Sequence, residues 1–94
     1  MTQSKGETTC CVYILECRGG WLYVGVTDNL LRRWSEHQRG GARFTKGRPP
    51  IRVIHVEPFI TRPQAEHRER QLKRWTRAKK WALAHGDPAE LKRL

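Results

Sequence analysis

The chain has 94 residues, a formal net charge of +10 and 37% apolar residues, so it makes one small domain that buries about 60–68% of its unfolded surface and has room for one site. No apolar run approaches the ~20 residues of a membrane span and no charged-then-apolar leader opens the sequence, so a soluble, cytoplasmic protein without a membrane partner is expected. A cationic surplus of this size points to a polyanion, nucleic acid before an acidic membrane surface.

Residues 1–8 are polar and lack periodicity, which predicts a disordered lead-in to a single domain over 9–94. Two runs rich in β-branched and aromatic residues then flank Arg18-Gly19-Gly20 and read as a hairpin. With those three residues as the loop, Cys17 pairs with Trp21, Tyr13 with Gly25 and Leu15 with Tyr23. Both tyrosines then share a face, and Gly25 leaves open space beside Tyr13. Cys10, Cys11 and Cys17 all fall on the first strand, odd in number and without CxxC spacing. That supports neither a disulfide framework nor a structural zinc site, and it suits a reducing compartment.

Thr27, Asp28 or Asn29 is positioned to cap a first helix. On it Leu30, Arg33, Trp34 and His37 follow at i, i+3, i+4 and i+7, one helical face. Gly40-Gly41 is expected to end this helix. The loop RGGARFTKGRPP interleaves Arg39, Arg43, Lys46 and Arg48 with glycines and has no acid to pair with. Cationic side chains and open backbone amides of this kind suit phosphate oxygens as well as water. Ile51–Glu57 reads as a third strand, with His55 ambiguous between a structural and a chemical role.

Thr61 and Gln64 have capping-box spacing, with Pro63 in the first turn, and open a second helix running to about Trp75. Ala65, Glu69, Leu72 and Thr76 lie on its inward face, and Glu66 is the rival carboxylate. The bland alternative for Glu69 is a surface ion pair with Lys73 at i+4. Thr76 caps a third helix, RAKKWALAH, with Trp81 and Ala82 inward and Lys79 and Lys80 outward. Gly86 stops it, and Asp87-Pro88-Ala89-Glu90 opens a terminal turn. The expected class is α+β: a small three-stranded, mainly antiparallel sheet flanked by three or more helices.

Tyr13, Tyr23-Val24-Gly25, Arg33, His37 and the AEHRERQLKRW helix together resemble the GIY-YIG nuclease domain. Cys11-Val12-Tyr13 departs from the family triplet by lacking its glycine, and Val24 replaces isoleucine. The likeness extends over about residues 9–85 and is nearest to small stand-alone bacterial proteins of that kind. It implies a metal-dependent endonuclease acting on DNA, in repair or processing, with Glu69 as ligand of one Mg2+ or Mn2+. It also implies site roles for Tyr13, Tyr23, Arg33, His37 and Glu69.

Phosphodiester hydrolysis needs an activated water and charge stabilisation at the phosphoryl oxygens. Arg33 suits the non-bridging oxygens through its planar fork. Tyr13 is the candidate base if a cation favours its phenolate. Tyr23 and His37 are open to the same role. Arg32, Arg39, Arg43, Lys46, Arg48 and Lys73 are the expected nucleic-acid contacts. With no separate recognition module, shape or backbone readout is expected, by a monomer, with a dimer open. The alternative is a basic DNA- or RNA-binding protein without catalysis, which has no use for an inward Glu69.

Overall fold

A computed structural model describes residues 9–39 and 49–86. The expected lead-in over 1–8, the residues Arg43, Lys46 and Arg48, and the terminal turn at Asp87 lie outside them.

Strand β1 (Cys10–Cys17) and strand β2 (Trp21–Thr27) form an antiparallel hairpin around one 3-10 turn, Arg18–Gly20. Gly19 and Gly20 hold φ of 85° and 86°, a conformation that side-chain-bearing residues adopt only with strain. The register follows: Cys17 opposes Trp21, Leu15 opposes Tyr23 and Tyr13 opposes Gly25. Helix α1 (Leu30–Gln38) begins at once, with the Asn29 side chain accepting from the Arg32 amide. It closes at Gln38 with Arg39 as its cap, immediately before the glycine pair expected to end it, which lies outside the described residues.

Strand β3 (Pro50–Phe59) is longer at both ends than the predicted Ile51–Glu57. It is an edge strand in the order β2-β1-β3, where prolines cost no inner-ladder bond. Ile14 faces His55 while Leu15 faces Val53, so Ile54 is an extra, bulged residue. Helix α2 (Arg62–Lys73) starts in the expected capping box of Thr61 and Gln64 and ends two residues before Trp75. Helix α3 (Arg77–His85) is capped by Thr76 and stopped by Gly86.

The sheet is a middle layer, because period-two alternation sends neighbouring residues to opposite faces. Tyr13, Leu15 and Cys17 pack with Tyr23, Val53 and the α1 residues Leu30 and Trp34. Val12, Ile14 and Val24 pack on the other face, against Ala65 and Leu72 of α2 and Leu83 of α3. Cys10 and Cys17 are buried and none of the three cysteines forms a disulfide among the described residues, so the buried pair serve as small apolar residues. Among the described residues no helix is long and apolar enough to cross a membrane.

Candidate active site

The hairpin and α1 build the site. Tyr13 and Tyr23 share the α1 face of the sheet, as their register requires. His37 comes down onto them from the last turn of α1, where Leu30 and Trp34 anchor the same stripe. The Tyr13 hydroxyl lies 3.0 Å from His37 Nε2. The His37 ring meets Tyr23 edge-on at 5.0 Å between centroids, and the two phenol rings stand 6.1 Å apart. Gly25 leaves no free space here, contrary to expectation. A Cβ at Gly25 would come within 2.6 Å of the Tyr13 hydroxyl oxygen and 2.9 Å of Tyr23 Cε2. The absent side chain is what admits the Tyr13 ring.

Arg33 sits one turn before His37 with its side chain 31% exposed. Its Nη1 donates to Glu36 Oε1 at 2.9 Å, and the fork faces both phenol hydroxyls. The bond to Glu36 first, and Tyr13 next, hold the guanidinium firmly charged. Glu36 in turn is held below the usual carboxylate range by Arg33. Sequence reading passed over Glu36, although its i+3 spacing from Arg33 was a usable signal.

Burial pushes the Tyr13 phenol up, and the hydrogen bond from Arg33 offsets only part of that rise. Tyr13 is 1% exposed. A phenol that is shut in and harder to ionise is a poor direct base for a solvent water, and the Arg33 cation by itself does not outweigh the burial that disfavours the Tyr13 phenolate. His37 is also 1% exposed, and burial, helped by the Arg33 charge, lowers its pKa. A neutral imidazole can accept the Tyr13 hydroxyl hydrogen at Nε2. Tyr23 is the half-buried member. It lines a cleft of about 340 Å3 with Leu22, Val24, Lys73 and Lys80.

Glu69 is not in that ring cluster. It projects from α2 on the opposite layer, between the buried Ala65 and Leu72, with its side chain 21% exposed. Lys73 binds its carboxylate at 3.1 Å, the pair foreseen as the bland alternative. Lys73 also lines the cleft with Tyr23, so the route from the tyrosines to Glu69 runs around the β2 edge. The rival, Glu66, pairs with Arg62 in the open. His55 is structural: its Nε2 lies 2.9 Å from Glu57, which Arg68 clasps with two bonds, at 2.8 and 3.1 Å. Among the described residues no three His, Cys, Asp or Glu side chains gather as a metal cage. Among the described residues the carboxylate tied to this cleft, through Lys73, is that of Glu69. It suits a hard cation that keeps several waters and takes phosphate oxygens, and it does not suit a closed zinc cage.

The remaining expected contacts spread outward. Arg32 is tied to Asp28 at 2.8 Å, and Arg39 donates to the Ser35 hydroxyl at 2.7 Å. Lys79 and Lys80 do not point away as predicted. Lys79 lies 4.2 Å over the Trp75 ring, and Lys80 is half-buried in the Tyr23 cleft.

Residues 9–82 match the sequence model of the GIY-YIG catalytic domain. A UPF0213 protein of Haloquadratum walsbyi is 47% identical over 78% of this chain and 83% of its own length. The solution structure of a UPF0213 protein from Bacillus halodurans has a TM-score of 0.53 and 37% identity, over 88% of this chain and 92% of that one. A second solution structure, of an E. faecalis protein, has a TM-score of 0.55 and 36% identity, over 82% of this chain and 83% of that one.

Proposed function

This chain belongs to the GIY-YIG catalytic domain family, and on that premise we propose that it is a divalent-metal-dependent endonuclease hydrolysing DNA phosphodiester bonds. The observation that carries the reading is the juxtaposition of the Arg33 fork with two phenols and a neutral imidazole, with Tyr23 also lining a cleft that holds Lys73 and Lys80. A binding module gains nothing from a buried Tyr13–His37 pair behind the surface.

The residues divide the work by exposure. Arg33, fixed at one corner by Glu36, takes non-bridging phosphoryl oxygens and opposes the charge that develops there. Tyr23 faces the cleft and orients the attacking water. His37, kept neutral by burial, presents Nε2 as an acceptor, and Tyr13 is the hydroxyl that couples to it. Glu69 would hold Mg2+ or Mn2+ in competition with the Lys73 ammonium. When bound, such an ion supplies Lewis-acid polarisation of the phosphate and stabilises the leaving oxygen. Recognition rests on backbone and shape, since the cationic side chains meet phosphates that carry no sequence information.

The test is cleavage of a panel of branched, flapped and linear DNAs with Mg2+, Mn2+ or EDTA. Glu69→Ala should lower cleavage by a factor of roughly 10² or more, as for loss of a major electrostatic contact. Metal-free DNA binding should survive or tighten, and Glu66→Ala should behave as wild type. Wild-type cleavage by the Glu69 variant ends the metal assignment. No cleavage by any form, with binding intact, selects the non-catalytic binder.

A further inference from the structure

We propose that Lys80 is a substrate-binding residue whose ammonium holds a backbone phosphate of the nucleic-acid strand in the cleft beside Tyr23. The proposal deepens the nuclease reading of this site and rests on it for the identity of the anion.

Three observations carry it. Lys80 lines the same cleft as Tyr23, and the lining residues Leu22, Tyr23, Val24, Lys73 and Lys80 include no carboxylate. At about 340 Å3 the cleft falls within the ~300–1,000 Å3 typical of sites for small groups. Secondly, Lys80 is half-buried yet has no acid partner among the described residues. Each carboxylate among the described residues is ion-paired elsewhere, Glu69 to Lys73 among them. A half-desolvated cation without a counter-charge costs stability, and an arriving anion removes that cost. Thirdly, the position is built. Thr76 caps α3, and Arg77 Nε donates to the Gly20 carbonyl at 2.7 Å, which ties the start of α3 to the hairpin turn beside β2. Lys80 follows one turn later on that anchored helix. Burial also lowers the Lys80 pKa, in keeping with a site that lacks its anion.

The test is binding of a short labelled DNA duplex in EDTA across a salt series. Lys80→Met should weaken binding by roughly tenfold or more, as for loss of a hydrogen bond to a charged group. It should also reduce the slope of log K against log salt by about 0.9, one phosphate's share. Lys80→Arg should keep the slope. Lys80→Met should melt at or above the wild-type temperature, because it relieves an uncompensated charge. Wild-type affinity and slope in Lys80→Met overturn the proposal, as does a lower melting temperature with unchanged binding, which makes Lys80 a structural residue. Should Lys80→Met fail to fold, acylation of the wild-type protein decides: duplex must protect the Lys80 amine, and equal labelling with and without duplex overturns the proposal. None of these readouts needs cleavage or metal. A protein that binds through Lys80 but never cuts refutes the nuclease and keeps the phosphate site, whereas active enzyme with an indifferent Lys80 does the reverse.

Discussion

Gly25→Ala adds one methyl group at the point where the candidate site is tightest. Gly25 lies on β2 opposite Tyr13, and its backbone is not among the positive-φ positions, so the cost is steric and not conformational. The new Cβ would meet Tyr13 Oη at 2.6 Å, Tyr13 Cζ at 2.7 Å and Tyr23 Cε2 at 2.9 Å. Ordinary carbon contacts need ~3.5–4.0 Å, so the Tyr13 ring must move by the best part of an ångström. It is 1% exposed within a cluster that includes Leu15, Cys17 and Trp34 and has little room to do so. Overpacking of this kind costs about 1–3 kcal/mol. Breaking the 3.0 Å bond to His37 adds about 0.5–1.5 kcal/mol. The sum, roughly 2–4 kcal/mol, is a large part of the ~5–14 kcal/mol expected for a 94-residue domain at ~0.05–0.15 per residue. At ~4–8 °C per kcal/mol the melting temperature should fall by roughly 10–30 °C. Urea titration gives the free energy, and near-UV circular dichroism reports the tyrosine environment. Tyr13→Phe removes the nearest atom, so the double variant should lose less than the sum of the two single losses. A Gly25→Ala protein within about 0.5 kcal/mol of wild type, or strict additivity with Tyr13→Phe, would refute the close-approach account.

Buried His37 favours its neutral form, so the folded chain refuses a proton that the unfolded chain accepts below the ordinary histidine pKa of ~6.5. Its contribution is therefore fully present above that pH and is lost as pH falls below it; urea midpoints between about pH 7.5 and pH 5 should drop, and His37→Gln should flatten that segment. Replacing Arg39, Arg43, Lys46 and Arg48 by alanine should reduce the salt slope of DNA binding by about 3–4 if each meets a phosphate, equally for all sequences. An unchanged slope would make that loop a solvated connector.

What the sequence by itself determined was local. The two glycines after Arg18 set a three-residue loop, and period-two parity then put Tyr13 opposite Gly25 with Tyr23 on the same face. The caps at Thr61 and Thr76 were readable because each rests on one side chain and an amide within its own turn, whereas the first cap was narrowed only to Thr27, Asp28 or Asn29, and the structure uses Asn29. The i, i+3, i+4, i+7 stripe of Leu30, Arg33, Trp34 and His37 likewise needed only helical period, and it holds in space. The family motif rides on the same local spacings. Only the tertiary structure decided which phenol is enclosed. Tyr13 is on the central strand under α1 and Tyr23 on the edge, a difference set by strand order, which hairpin register does not contain. The packing of α2 and α3 against the far face placed Glu69 across the sheet from the tyrosines and turned Lys80 inward to the β2 edge. Helical period tells which residues share a face. Which neighbour that face meets depends on contacts between residues far apart in the chain, and those arise only when the layers close on one another.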